Sequence, residues 1–163
     1  MKLPFSRLSQ GGNEGMETIL ITKDDFNIAS EYEALKQANV GAVVIFSGVV
    51  RDNADKPSLL AMTLEHYPGM TEMEIAAIIE EAKRRWPIAG VRVIHRIGRL
   101  LPEENIVFVG VASAHRQPAF DGAAFIMDYL KTKAPFWKKE ETEQGIKWVK
   151  AREKDADALI RWE

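Results

Sequence analysis

Apolar and polar residues follow two periods along this chain, one typical of strands and one typical of helices. Runs of β-branched and apolar residues predict seven strands, which we place at residues 17–22, 41–50, 59–66, 91–97, 106–113, 136–141 and 146–150. Apolar residues at helical spacing predict three helices, which we place at residues 25–37, at residues 71–86, and between Ser113 and Pro135. The order β-α-β-β-α-β-β-α-β-β predicts an α+β domain with a mixed or antiparallel sheet and a C-terminal hairpin.

Local patterns predict how several of these elements begin and where they lie. The strand at residues 41–50 is almost entirely apolar, so we expect it to be central in its sheet and covered on both faces. Thr71 followed by Glu74 has the spacing of a capping box, and Ser113 is available as the N-cap of the third helix. The expected core consists of apolar residues from strands and helices: Val43, Ile45, Ile75, Ile79, Val93, Val107, Val109, Met127, and Phe125 or Ile126.

Length and composition are those of one globular domain. The chain has 163 residues, of which 46% are hydrophobic and 28% are charged. No internal repeat or linker divides it. Residues 1–16 are mostly polar and rich in glycine, and we expect them to form a flexible tail. Residues 17–163 then form a single domain.

The charge balance limits the kind of ligand. The chain has 22 Lys and Arg against 24 Asp and Glu, a formal charge of −2, so no overall field attracts nucleic acid or an acidic membrane. Any cationic site must be local, which favours a small anionic ligand.

The chain contains no cysteine, which excludes disulfides, thiolate metal sites and a cysteine nucleophile. No apolar run approaches the length of a membrane span, and the first residues lack the apolar core of a signal peptide. We therefore expect a cytoplasmic protein.

Five cationic residues lie at the ends of predicted elements. Arg51 follows the strand at residues 41–50, while His115 and Arg116 follow the strand at residues 106–113. Lys131 ends the apolar face of the third helix, and Lys138 follows shortly after its predicted end. Taken singly, such residues are more often solvated, and His115-Arg116 fits a coincidental helix start as well as an anion site. Their shared position around one strand and one helix favours a common anion-binding pocket, the candidate active site.

The residue types in this set suit acid–base or nucleophilic chemistry on an anion. Two ammonium groups in one partly buried pocket depress each other's pKa, which makes a lysine a better base or nucleophile. Arginine and histidine hold phosphate or carboxylate oxygens by charge-assisted hydrogen bonds. His66 and His95 have no partners at metal-ligand spacing, and the chain has no glycine-rich phosphate loop, so we expect neither a metal nor a cofactor.

Several longer motifs occur together, at residues 46–51, 64–70, 93–98, 113–116 and 127–138. In this order they resemble the large, catalytic subunits of molybdopterin synthase, the MoaE family, and the resemblance runs from about Glu17 to the C-terminus. It implies an α/β hammerhead-like fold for the single catalytic domain at residues 17–163.

The resemblance also implies a function in molybdenum cofactor biosynthesis. Such a sulfurtransferase converts cyclic pyranopterin monophosphate into molybdopterin by adding two sulfurs as a dithiolene. The sulfur arrives as a thiocarboxylate on the C-terminal Gly-Gly of a ubiquitin-like small subunit, and two large subunits form the central homodimer of a heterotetramer. A chain without cysteine cannot hold a persulfide, which agrees with an external sulfur carrier.

The family's functional residues match positions in this sequence. Lys131 and Lys138 match the two catalytic lysines, and Arg152 matches an arginine that reaches the neighbouring subunit's pocket. The substrate-binding positions implied are Val49, Val50, Arg51, His115, Arg116, Lys131, Lys138, Lys139, Glu140 and Arg152. Whether Lys131 forms a covalent intermediate, and in which order the two sulfurs are transferred, stays open. So do two other functional classes: an anion- or nucleic-acid-binding module, and a scaffold that only docks a ubiquitin-like tail.

Overall fold

The computed structural model describes residues 16–52, 58–149 and 153–163. The predicted tail at residues 1–16 therefore lies, apart from Met16, outside the described residues. The strands are β1 (Met16–Thr22), β2 (Ala42–Val49), β3 (Leu59–His66), β4 (Ile88–Arg96), β5 (Gly98–Leu100), β6 (Asn105–Ser113), β7 (Phe136–Thr142) and β8 (Gly145–Val149). The helices are α1 (Ile28–Leu35), α2 (Met70–Arg85), α3 (Arg116–Thr132) and α4 (Glu153–Asp157), followed by a 3₁₀ turn (Ala158–Trp162).

The strands form two four-stranded sheets. In the first, the order is β1-β4-β6-β2, with β1 parallel to β4 and the other pairs antiparallel. The second has the order β5-β3-β7-β8 and is antiparallel throughout. The predicted α+β class, the mixed sheet and the C-terminal hairpin are confirmed. The predicted order of elements is also confirmed, and the structure adds the short strand β5 and the helical turns after β8.

Helices cover both faces of the first sheet. Helices α2 and α3 pack on one face and form the main core with alternate residues of β4 and β6, while α1 packs on the opposite face against Ile94 and Phe108. Most of the predicted core is buried. The exceptions are Val43 and Ile45 of β2, which are only partly buried.

The position of β2 differs from the prediction. Instead of lying at the centre of its sheet, β2 is an edge strand that pairs, among the described residues, with β6 alone. It contacts α3 and α1, which lie on opposite faces of the sheet. The predicted cover on both faces is also incomplete, because no residue of β2 is fully buried and Phe46 and Val49 are exposed. An apolar run carries no information about the number of neighbouring strands.

Two helix starts also differ from the prediction. Helix α2 begins at Met70 after Gly69, whose N–H donates to Glu72 Oε2 at 2.6 Å. Thr71 is buried instead of capping the helix, and its hydroxyl donates to the carbonyl of Pro135 at 3.0 Å. Ser113 is likewise not the N-cap of α3, because its hydroxyl donates to the carbonyl of Pro87 at 2.8 Å. Helix α3 starts two residues later along the chain, with His115 as its N-cap.

The C-terminal turn is anchored on α3. Trp162 Nε1 donates to Asp128 Oδ2 at 2.7 Å, and the indole packs edge-on against Trp86 and Phe125. Within the described part of the chain, no helix is long and apolar enough to cross a membrane.

Candidate active site

Arg51 lies at the end of β2, which is tied to the turn before β6. The Val50 N–H donates to the carbonyl of Glu104, and the Val50 carbonyl accepts from the Glu103 N–H, both at 2.8 Å. Val50 is buried by this arrangement, while Val49 and Arg51 are exposed. The two hydrogen bonds thus fix the backbone next to Arg51 and leave its side chain accessible to a ligand.

Lys131 lies in the last turn of α3, at the same end of the first sheet as Arg51. Only two residues separate β6 from α3, so the helix runs back along the sheet in the direction opposite to β6. The start of β6 pairs with the end of β2, where Val49 lies opposite Asn105. Lys131 is exposed, whereas Leu130 beside it is buried in the main core.

Lys138 lies on β7, directly after the turn that follows α3. It pairs with Leu64 of β3 and Val149 of β8, and its side chain is exposed. Because side chains alternate along a strand, Lys138 shares one face of the second sheet with Phe136 and Glu140. This face includes His66, which is opposite Phe136.

Lys139 lies on the other face of the same strand. Its ammonium binds Glu65 Oε1 at 3.0 Å and lies 4.5 Å from the centre of the Trp148 ring. The structure therefore brings Glu140 to the Lys138 face and directs the Lys139 side chain away from it.

A buried histidine lies at the end of the first sheet where Lys131 and Lys138 are found. His95 of β4 is 9% exposed, and its ring stacks on that of Phe136 with 3.8 Å between centroids. Its Nδ1 lies 2.8 Å from the carbonyl oxygen of Arg96. Since a carbonyl can only accept, Nδ1 carries the proton and Nε2 carries the lone pair.

The pKa of His95 is lowered from 6.5 to about 4, and burial is the largest cause; the electrostatic effects of Lys138 and His66 act in the same direction, and the backbone hydrogen bond to Arg96 opposes them. His95 is therefore neutral near pH 7. The effect of Lys138 on this pKa also shows that the ammonium lies within electrostatic range of the ring.

His115 and Arg116 lie at the opposite end of the first sheet. His115 is the N-cap of α3 and Arg116 is its first residue, and both are exposed beside the N-terminal amides of the helix. The rise of an α-helix puts His115 about 24 Å from Lys131 along the axis. One chain thus brings Arg51, Lys131 and Lys138 to one end of the sheet and His115 with Arg116 to the other.

Arg152 lies outside the described residues. Among the residues that the structure describes, no group of three or more His, Asp or Glu side chains is arranged to hold a metal ion.

His95 was not among the predicted site residues, because the sequence analysis considered it only as a possible metal ligand. The available signal was its position in β4, where it follows Val91 and Val93 at a spacing of two. That spacing puts all three on the face covered by α2 and α3. A histidine on such a face is buried, and burial beside a lysine keeps it neutral.

Comparison with known proteins identifies the family of this chain. The family model described as MoaE protein matches residues 21–133. The molybdopterin synthase catalytic subunit of Escherichia coli (strain K12) is 54% identical over 145 residues, which are 88% of this chain and 97% of that protein.

Solved structures also indicate the MoaE family. The molybdopterin biosynthesis MoaE protein from Burkholderia ambifaria MC40-6 is 51% identical, with a TM-score of 0.78 over 90% of this chain and 98% of that chain. A chain from the complex of subunits 1 and 2 of the molybdopterin-converting factor from Helicobacter pylori 26695 shares the fold, with a TM-score of 0.69 at 17% identity, over 82% of this chain and 91% of that chain. The chain under study therefore belongs to the MoaE protein family.

Proposed function

We propose that this chain is the catalytic subunit of a molybdopterin synthase, a sulfurtransferase of molybdenum cofactor biosynthesis. It would transfer two sulfurs from a thiocarboxylated ubiquitin-like small subunit to cyclic pyranopterin monophosphate and so form the molybdopterin dithiolene. Family membership over most of the chain supports the activity. The observation that carries the proposal is the grouping of Arg51, Lys131 and Lys138 at one end of the sheet, where an anionic substrate and an anionic donor can both be held.

The separation of the cations supports a site made by two copies of the chain. About 24 Å of helix lies between His115 and Lys131, which is too far for both to contact one small substrate. In a homodimer with two-fold symmetry, His115 and Arg116 of one copy can face Arg51, Lys131 and Lys138 of the other, and the same arrangement arises twice. Arg152 would also reach the neighbouring copy's site. With one small subunit for each site, the assembly is a heterotetramer.

Each group in this site has a proposed role. Arg51, His115 and Arg116 hold the phosphate and the pterin by charge-assisted hydrogen bonds, with Val49, Val50 and Glu140 lining the pocket. Lys138 guides the thiocarboxylate and stabilises negative charge at its acyl carbon. Lys131 acts as a base or as a transient covalent partner while sulfur replaces oxygen on the pyranopterin side chain. The donor sulfur bonds to the side-chain carbon as the displaced oxygen leaves as hydroxide; water then adds to the acyl carbon of this thioester and the acyl C–S bond breaks, so the donor leaves as a carboxylate and the sulfur stays on the pterin.

The sulfur donor must be a separate molecule, because this chain contains no cysteine to carry a persulfide. An extended Gly-Gly tail suits a narrow approach to Lys138, because glycine has no side chain to exclude from a channel. The chain from Helicobacter pylori that shares this fold likewise comes from a complex of two different subunits. We propose a cytoplasmic location, because a chain without cysteine has no disulfides that would need an oxidising compartment.

Reconstitution tests the proposal directly. The purified chain is mixed with a small subunit bearing a C-terminal thiocarboxylate and with cyclic pyranopterin monophosphate, and dithiolene formation is measured. The matched control is the same small subunit with an ordinary carboxylate, which should give no product. A chain that binds both molecules and forms no dithiolene would point to a docking scaffold. Binding of single-stranded RNA that weakens steeply with salt would point to a nucleic-acid module instead.

A further inference from the structure

The connection between Lys131 and Lys138 is held by contacts from two other elements. It consists of the end of α3, a short turn at Ala134 and Pro135, and the start of β7. Within the turn, the Phe136 N–H donates to the carbonyl of Ala134 at 3.0 Å. The position of one lysine relative to the other depends on how rigidly this turn is fixed.

The first outside contact comes from α2. The hydroxyl of Thr71 donates to the Pro135 carbonyl at 3.0 Å and accepts from the Tyr67 N–H at 3.0 Å. Thr71 is completely buried, so both hydrogen bonds are shielded from water. The turn is thereby tied to the start of α2.

The second contact comes from β4. The His95 ring stacks on Phe136 with 18° between the ring planes, and the hydrogen bond from Nδ1 to the Arg96 carbonyl prevents the imidazole from turning over. The charged or titratable groups near this ring are Lys138 on β7 and His66 on β3, and Glu72 of α2 lies 3.6 Å from His66.

We propose that His95 is a positioning residue that sets where the Lys138 ammonium lies relative to Lys131. Phe136 and Lys138 are two residues apart on the same face of β7, a separation of about 6.6 Å along the strand. A tilt of Phe136 therefore moves the base of Lys138. The inference rests on the proposed function in so far as it assigns the two lysines to one reaction.

The character of the His95 ring suits this role. A flat aromatic ring gives Phe136 a large stacking surface, and a neutral ring adds no positive charge beside Lys138. A cationic side chain at this position would repel the Lys138 ammonium, and a small one would leave a void into which Phe136 could move.

Three variants separate positioning from general stability. His95→Ala removes the stacking surface, His95→Phe keeps a flat neutral ring, and Ile94→Ala shortens a buried side chain on the opposite face of β4. Ile94 packs with Leu35 and Phe108 in the cluster under α1, and it is not part of the cluster that Phe136 joins. It is therefore the matched control for loss of packing in the same strand.

The kinetic readout is kcat and KM in the reconstituted assay, with the melting temperature measured alongside. We expect His95→Ala to lower kcat about 10-fold to 100-fold, since small misplacements of reacting groups have effects of that order. The KM for the pterin should change little, because His115 and Arg116 lie at the other end of the sheet. His95→Phe should restore most of the lost kcat. Ile94→Ala should lower the melting temperature without lowering kcat.

A second readout does not depend on turnover. Because the chain has no cysteine, Lys138→Cys and Glu80→Cys can be labelled with nitroxides at these two positions alone, the second on the exposed surface of α2. Pulsed EPR then gives the distribution of distances between the labels. We expect His95→Ala to broaden or shift this distribution, and we expect His95→Phe and Ile94→Ala to leave it as in the parent.

The outcomes decide between the two proposals. Unchanged kcat and an unchanged label distribution in His95→Ala would overturn the role of His95, as would an equal loss of kcat in Ile94→Ala. If the parent chain forms no dithiolene, the proposed function fails, and the label distributions alone then support or overturn the positioning role.

Discussion

His115 caps the N-terminal end of α3 and Lys131 lies in the last turn of the same helix, so about 24 Å of helix separates them. Both are exposed, and each lies with other cations at its own end of the first sheet. This distance is the reason for proposing a site shared between two copies of the chain. It also makes that arrangement testable by combining defective chains.

Two defective chains should restore activity when they are combined in one dimer. Arg116→Ala and Lys131→Ala are co-expressed with different tags, and the mixed dimer is isolated and assayed. One of its two sites then has both changes and the other has neither, so we expect about half of the parent activity from a symmetric dimer. Each variant alone should form dimers and be inactive.

The matched control combines Lys131→Ala with Lys138→Ala. Both residues belong to the same end of the chain, so every site in that mixed dimer contains one defect, and activity should stay absent. Recovery in both mixtures, or in neither, would contradict the shared site.

Lys138 and Lys139 are neighbours with different expected effects. Lys138→Ala should lower kcat by about 100-fold or more, because it removes a charge that stabilises the reacting anion. Lys139→Ala should change kcat less than about threefold, since the Lys139 ammonium binds Glu65 and Trp148 on the other face of β7. Steady-state kinetics of the two variants test this, and equal losses would show that both side chains act at the site.

Stability should fall in mildly acidic solution because of His95. Its pKa is about 4 in the folded chain, against an ordinary 6.5, so between these values the unfolded chain binds a proton that the folded chain does not. The free energy of unfolding therefore has its full value above pH 6.5. It falls as the pH drops toward 4, by about 3 kcal/mol in total.

Urea unfolding over this pH range measures the effect, and His95→Phe should flatten it. The hydrogen bond from Asn105 lowers the pKa of Asp25, but a lowered carboxyl pKa acts on stability below the ordinary value of 3.8. An equally steep loss in His95→Phe would assign the effect to other groups.

The buried ion pair between Glu31 and Arg92 should matter for stability. Arg92 Nε donates to Glu31 Oε2 at 2.8 Å, and the two residues are 4% and 2% exposed. Glu31→Gln keeps the shape but removes the negative charge beside a buried guanidinium, and we expect a loss of about 2–4 kcal/mol in the free energy of unfolding. Denaturant unfolding measures it.

Glu33→Gln on the same helix is the control, because the ion pair of Glu33 with Lys36 is exposed to solvent. That variant should unfold like the parent chain. Equal stabilities for the two variants would mean that the buried pair contributes little beyond its packing.

The expectations that held concern local properties. Met127 and both alternatives for the neighbouring core position of α3, Phe125 and Ile126, are buried, and the order of elements agrees from β1 to β8 apart from the added strand β5. The family resemblance, drawn from motifs distributed along the chain, was confirmed by the comparisons.

The expectations that failed depended on neighbours distant in the sequence. Thr71 has the spacing of a helix cap, but the Pro135 carbonyl, 64 residues away, takes its hydroxyl proton. Ser113 is drawn to Pro87 in the same way. A small polar side chain binds whichever backbone group lies nearest in the fold, and that group cannot be identified from local sequence.

Three properties could be predicted from the sequence alone: the longer strands and helices, the side chains that carry positive charge, and the need for a sulfur carrier outside this chain. Periodicity and residue type suffice for these conclusions because they are properties of the chain over short distances. Three other features became clear from the folded chain: β2 lies at an edge, His95 is buried against Phe136, and His115 and Lys131 lie far apart. Those facts depend on the order of strands in the sheet and on the length and direction of α3, which arise when distant segments pack together.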